Sequence, residues 1–419
     1  LTAPSEPSSQ LRAEDYLRAG TPGYRRLVIG LVAAAFSTFA VLYCVQPMMP
    51  VFSAEFDVPP AVGSLSLSVT TTTVAFCMLV VGRLSDAYGR KGLMTFSLLS
   101  VALLTIASAF APSWPAFLML RAVEGVALSG VPAVGMAYLA EEVHPRDLAS
   151  TIGLYIGGNA FGGMLGRVLT GPLLDLTHSW RVTIGVIGVI GLGAAVLFAI
   201  FLPPSRRFVA EGSLSLKSLG HAFAVHFRDP GLPWLFLFGF LLMGSFISVY
   251  NYSAYRLVAP PFDLSQTLAG AIFVIYLVGG PSSTWFGRRA ARYGAPRLLI
   301  LALALMFCGL VVTASQKLAI TMAGVVVFTT GFFGAHGIAS GWVSRRPIVA
   351  RAQATSLYLF CFYMGSSVLG SSGGFFWSGA GWPGIIGLVS ALLLAAVLVV
   401  LHLARIERGG QSLAQRATE

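Results

Sequence analysis

The chain is 419 residues long, 56% hydrophobic and only 10% charged. A soluble globular protein is about a quarter charged, so this composition excludes disorder and most water-borne folds and leaves the lipid bilayer as the solvent. The remaining charge is +11, from 27 basic against 16 acidic residues, and in a membrane protein such an excess is read by its position along the chain.

A helix needs about 20 mostly apolar residues to cross a hydrocarbon core of ~30 Å. Twelve such stretches follow in order: 27 to 50, 61 to 82, 93 to 111, 115 to 139, 149 to 173, 182 to 202, 233 to 256, 266 to 287, 298 to 315, 318 to 342, 353 to 377 and 383 to 404. Most connections are short, which forces consecutive helices to run antiparallel. The exception divides six helices from six. The expected organisation is an all-α membrane protein with twelve transmembrane helices in two six-helix bundles. A tail at 1 to 26 precedes a bundle at 27 to 202; a linker at 203 to 232 leads to a second bundle at 233 to 404 and a tail at 405 to 419. In the linker, Leu216, Leu219, Phe223 and Phe227 share one helical face while Lys217, His221 and Arg228 lie elsewhere, the pattern of an amphipathic helix on a membrane surface.

The first segment carries Tyr43 and Gln46 but no acid. After the second comes a polar loop, Gly82-Arg-Leu-Ser-Asp-Ala-Tyr-Gly-Arg-Lys91, in which Gly82 and Gly89 permit tight turns and Asp86 can cap a helix or pair with a base. The fourth segment contains Arg121-Ala-Val-Glu124-Gly125. Arg121 and Glu124 share a helical face and can pair, and Glu124 stands alone among the 16 acids in lying well inside a predicted helix. A charge inside a membrane costs at least ~2.5–3.5 kcal/mol on insertion scales, so such residues are functional candidates by default. Either the two form a static pair, or Glu124 gains and loses a proton as its pairing changes.

The fifth segment reads Gly157-Gly-Asn-Ala-Phe-Gly-Gly-Met-Leu-Gly-Arg167, with small residues at 158, 162 and 166 opening one face to close helix approach. Arg167 either snorkels or packs, or it lines the cavity and contacts substrate or Glu124. Two arginines against one glutamate leave positive charge that favours an anionic group. Asn159, Tyr250, Asn251, Tyr255, Tyr276, Tyr358 and Tyr363 complete a mostly apolar pocket with a few polar anchors. His336 is an alternative proton carrier or a satisfied interhelical hydrogen bond. The four cysteines lie in apolar segments without metal-ligand spacing and are expected to be free and buried, and no metal or other cofactor is expected.

After the eighth segment the chain reads Gly287-Arg-Arg-Ala-Ala-Arg-Tyr-Gly-Ala-Pro296, which repeats the loop at 82 to 91 at an offset of 205 residues. The same offset carries Arg146, Ala149 and Leu154 onto Arg351, Ala354 and Leu359. Such a parallel six-helix duplication suits a transporter with its site between two halves near the midplane.

With both termini in the cytoplasm, 22 of the 27 basic residues fall on that side, and only Arg181, Arg256 and Lys317 on the other. That asymmetry sets orientation. Its spread over alternate loops excludes a nucleic-acid surface.

On these residues the chain resembles the major facilitator superfamily along essentially its whole length. The loop from Gly82 to Lys91 is similar to that family's G-x-x-x-D-(R/K)-x-G-(R/K)-(R/K) signature, with Ala87 at one basic position, and Arg121-x-x-Glu124-Gly125 resembles the R-x-x-(Q/E)-G signature of the drug:proton antiporter branch. On the fifth helix Gly163-Met-Leu-Gly166-Arg167 departs from that branch's G-P-x-x-G-G core. The resemblance implies a monomeric, proton-coupled transporter of the bacterial inner membrane working by alternating access. Gly82, Asp86, Gly89, Arg90 and Lys91 would form its gating loop, Glu124 and Arg121 would couple the proton, and a small amphiphilic or anionic molecule would be exported. Uptake of an organic anion by proton symport uses the same charges. An enzyme is disfavoured, because Glu124 has no second acid beside it.

Overall fold

A computed structural model of the chain describes residues 16–207, 224–346 and 351–416, apart from the side chains at positions 82, 83, 86–88, 133, 351, 352 and 409–416. The first six spans are α1 (Pro22–Tyr43), α2 (Leu65–Tyr88), α3 (Arg90–Ser108), α4 (Trp114–Leu128, resumed at Pro132–Glu142), α5 (Pro145–Thr177) and α6 (Trp180–Phe201). The second six are α7 (Leu232–Leu257), α8 (Gln266–Tyr293), α9 (Ala295–Val312), α10 (Leu318–Arg345) and one run, Arg351–Arg416, that turns at Gly381 (φ 59°) into α11 before it and α12 after it. Most of the predicted linker helix, including Leu216, Lys217, Leu219, His221 and Phe223, lies outside the described residues; Phe227 is exposed on a short helical turn.

Local chemistry sets the ends. The Thr21 hydroxyl accepts from the Tyr24 amide and Pro22 opens α1, while Ser113 and Ser179 cap α4 and α6 in the same way. Gly89 and Gly294, 205 residues apart, make the turns into α3 and α9 with φ of 89° and 88°, a backbone that glycine adopts without a Cβ clash.

Three spans differ from the sequence expectation. The first begins at Pro22, earlier than residue 27, and unwinds after Tyr43, where Pro47 and Pro50 withhold amides; a short helix, Met49–Glu55, follows. The fourth breaks between Leu128 and Pro132. The eighth tightens to 3-10 geometry across Ala271–Val278, a departure that often marks a hinge or functional strain. Eight helical stretches among the described residues are individually long and apolar enough to cross a membrane, the last comprising both α11 and α12. Outside that set are α2, whose described side chains run apolar from Leu65 to Val81, α4, broken and charged, and α5, rich in glycine.

In the N-terminal bundle α1 packs on α5 and α6, and α3 on α6; in the C-terminal bundle α7 packs on α11, and α9 and α8 on α10. The bundles meet where α2 faces α11 and α5 faces α8. The contact is closed at the end away from the termini: Ser64 donates to Ser371 (3.0 Å), Ser371 to Ser68 (2.7 Å), Thr71 and Ser367 share a hydrogen bond (2.7 Å), and Tyr255 donates to the Met49 carbonyl (3.0 Å).

The cysteines are free, but only Cys44 is buried; Cys77 and Cys361 are half-buried and Cys308 is exposed on the outer face of the bundle. That corrects the expectation of four buried thiols, because an apolar helix in lipid turns part of its surface outward.

Candidate functional site

The unwinding of α1 frees carbonyls inside the bundle, and buried carbonyls need donors. Arg121 supplies one of them, its Nη2 donating to Leu42 O (2.9 Å), while its Nε donates to Ser66 O of α2 (3.0 Å). Its Nη1 donates to both oxygens of Glu124, at 2.7 and 2.8 Å. Arg121 is 1% exposed and Glu124 fully buried, so the pair is dry, matched in charge and saturated with hydrogen bonds. Thr170 donates to a second carbonyl at the break, Cys44 O (3.1 Å).

Arg167 meets α1 one residue further along. α5 lies against α1 along its small residues: a Cβ built on Gly162 would come within 2.8 Å of Ala35 O, and one on Gly166 would overlap the Ala40 backbone. This close approach brings the Arg167 guanidinium over the Tyr43 ring (3.8 Å to the centroid), with Tyr276 at 4.9 Å and Phe273 at 5.0 Å. The three rings offer negative faces to a cation that is 2% exposed. Nε donates to Gln46 Oε1 (2.6 Å) and Nη1 to Gly163 O (2.9 Å). Arg167 does not reach Glu124, and among the described residues no carboxylate pairs with it.

Gln46 continues the chain of bonds by donating through Nε2 to Asn251 Oδ1 (2.7 Å). The two amides are 205 residues apart, the offset of the internal repeat. Equivalent positions of a two-fold repeat can touch only on its axis, so this bond marks the centre of the molecule and links Arg167 to α7.

The family model of the Major Facilitator Superfamily matches residues 31–347. Over 390 residues the chain is 47% identical to the MFS-type transporter YybF of Bacillus subtilis (strain 168), covering 93% of this chain and 96% of that one. The chain belongs to the major facilitator superfamily. It is also 43% identical over 390 residues to the inner membrane transport protein YnfM of Escherichia coli (strain K12), covering 93% of each. The crystal structure of the nucleoside transporter NupG has the same fold, with a TM-score of 0.72 at 13% identity over 90% of this chain and 99% of that one. This facilitator is therefore a multi-pass membrane transporter and not an enzyme.

The other sequence candidates in the facilitator separate by place. Tyr276 lies beside Arg167 with its hydroxyl buried and unpartnered. Tyr250 shares a hydrogen bond with Thr329 of α10 (2.8 Å). Asn159 carries a buried Oδ1 without a partner, one turn of helix from Gly163. His336 Nδ1 and the Tyr358 hydroxyl are 3.1 Å apart, and Tyr363 is buried beside Phe362. Tyr255, by contrast, belongs to the closed end, where it also bonds Ser53 (2.8 Å).

Of the loop between α2 and α3, Arg90 pairs with Glu141 (2.7 Å) and donates to Ser85, and Lys91 donates to Leu202 O (2.6 Å). All of these partners belong to the N-terminal bundle. Positions Gly82 and Asp86 fall among the side chains outside the description.

Sequence reasoning passed over Phe273, the serine and threonine contacts of α2 with α11, and Asp175. That aspartate accepts from the amides of Gln266 (3.1 Å) and Thr267 (2.9 Å) and from the Thr267 hydroxyl (2.6 Å), capping α8 from the opposite bundle.

Proposed function

We propose that this transporter is a monomeric, proton-coupled exporter of a small amphiphilic or anionic molecule in a bacterial inner membrane, with both termini in the cytoplasm. One observation carries the reading: among the charged groups buried in the N-terminal bundle, Arg121 is neutralised by Glu124, while Arg167 has no counter-ion among the described residues. An unpaired cation in low dielectric is a standing demand for an anion. Glu124 is the proton carrier in this reading. Ionised, it neutralises Arg121; protonated, it releases Arg121 from the pair and loosens α4 against the carbonyls of α1 and α2.

The 22-to-3 division of basic residues supports the orientation, and the relative YnfM is named as an inner membrane protein. With the termini inside, the sealed end faces outward and the Arg167 site is loaded from the cytoplasm. The turn between α2 and α3 acts as the gating loop, its Gly89 allowing α2 and α3 to reorient together.

Reconstituted in vesicles of known orientation, the protein is expected to drive substrate-dependent proton flux, and Glu124→Gln is expected to abolish it. Undiminished proton flux in a correctly folded Glu124→Gln protein refutes the coupling. Flux that runs only inward with substrate replaces export by symport.

A further inference from the structure

Two groups at the Arg167 site lack the partner their chemistry calls for. Arg167 has Nε and Nη1 committed to Gln46 and Gly163 and lies over Tyr43, but no carboxylate among the described residues balances its charge. The Tyr276 hydroxyl is buried without a partner although its ring stands 4.9 Å from the Arg167 guanidinium. A buried hydroxyl left unsatisfied costs free energy that an acceptor returns. One acceptor with two oxygens, a carboxylate, satisfies both.

The charge balance limits that acceptor. Arg121 is saturated by Glu124, Leu42 and Ser66, so one positive charge is left over at the site. A monoanion completes the pair. A dianion would bring a second buried charge without a partner.

The other wall fixes the body of the ligand. Tyr276 continues into a field of rings in the C-terminal bundle, with Tyr250 at 4.9 Å, Phe246 at 5.4 Å and Phe333 at 5.9 Å between centroids. A wall of ring faces and edges in mutual contact favours another flat ring over a flexible chain, through edge-to-face and stacked contacts. The geometry points to an aromatic monocarboxylate as the substrate class, its carboxylate on Arg167 and Tyr276 of the axial site and its ring against the aromatic wall of the C-terminal bundle. This rests on the reading of Arg167 as the substrate anchor, and it adds both the number of charges and the shape.

The test is direct binding to the purified full chain, by calorimetry and ligand-induced thermal shift, with four probes: 2-naphthoate, naphthalene-2,6-dicarboxylate, 2-naphthylmethylamine and decanoate. The expected order places 2-naphthoate first, with each other probe at least about tenfold weaker. Arg167→Lys, which keeps the charge but loses the planar fork, is expected to weaken 2-naphthoate about tenfold or more, and Tyr276→Phe about three- to tenfold. Apo melting temperatures matching the wild type certify that both variants fold. Equal or tighter binding of the amine, of the dicarboxylate or of decanoate overturns the class, as does undiminished naphthoate binding by folded Arg167→Lys. These outcomes are independent of proton flux. Naphthoate binding alongside an uncoupled wild type refutes the exporter reading and leaves the class standing, while proton flux without naphthoate binding does the reverse.

Discussion

Along α4 and α5 of the N-terminal bundle, Arg121, Glu124 and Arg167 lie inside the span at 2% exposure or less, each held by fixed hydrogen bonds, and Glu142 is as deeply buried at the end of α4. The corresponding interior of the C-terminal bundle is a continuous field of rings, from Phe246 stacked on Phe332 (3.6 Å between centroids) through His336 to Phe362 (4.6 Å) and Tyr358. The two bundles share a repeat of backbone positions and have been filled with opposite chemistry. Charge in a dry interior admits few alternatives, because each charged group is tied to fixed partners, whereas rings are matched by shape alone. One bundle is therefore suited to holding a defined electrostatic state, the other to accepting differently shaped apolar surface.

That contrast is open to direct attack. The largest expected effect is from Arg121→Ala, which leaves Glu124 buried without its counter-ion and the Leu42 carbonyl without its donor. Breaking a buried pair from one side costs about 3–5 kcal/mol, so the variant is expected to lose most of its unfolding midpoint in detergent, and a near wild-type midpoint would break the comparison. An apolar replacement in the ring field should be milder. Phe246→Leu, which keeps the position apolar but loses its ring contacts, is expected to cost about 1–2 kcal/mol in the same denaturation measurement, and a loss equal to that of Arg121→Ala would show the rings to be as exacting as the charges.

The smallest effect concerns an ion pair at the rim of the C-terminal bundle, Arg346 with Asp229 (2.6 Å). Burial opposes ionisation of Asp229, but the Arg346 hydrogen bond and the amides of Gly231 and Leu232 outweigh it and hold its carboxyl below the usual range. A depressed carboxyl contributes stability above its unfolded pKa, roughly pH 4, and loses it as pH falls through the folded value. Melting temperature in Asp229→Asn should therefore differ from wild type at neutral pH and converge with it in acid. A constant difference across that range would remove the pair from the account of stability.

Much of this was readable before any coordinates. Twenty-residue apolar stretches announce spans because lipid allows no other backbone, and the spacing of Arg121 and Glu124 puts them on one face whatever surrounds them. The break after Tyr43 was less accessible: Pro47 and Pro50 are visible, but prolines in membrane helices are tolerated when neighbours satisfy the freed carbonyls, and here that neighbour, Arg121, is 79 residues from Leu42. Phe273 was hidden for a different reason, since a phenylalanine in an apolar run signals nothing until a cation is placed beside it. Asp175 lies just past the predicted end of its segment, and its partners are more than 90 residues away. Gln46 and Asn251 were each visible as polar residues, and the offset of 205 that joins them was already in the repeat; what was missing was that their helices cross at the axis.

The bond between those two amides carries a further consequence. A side chain on a two-fold axis faces its own copy, so it must be able to bond to its own kind. A carboxylate or a guanidinium repels its twin, whereas an amide offers one donor group and one acceptor and can satisfy itself head to head. If the two bundles descend from a single six-helix unit that once paired with an identical chain, Gln46 and Asn251 occupy the place where that chain would have met itself, and the amide is the chemistry that would have made the meeting possible.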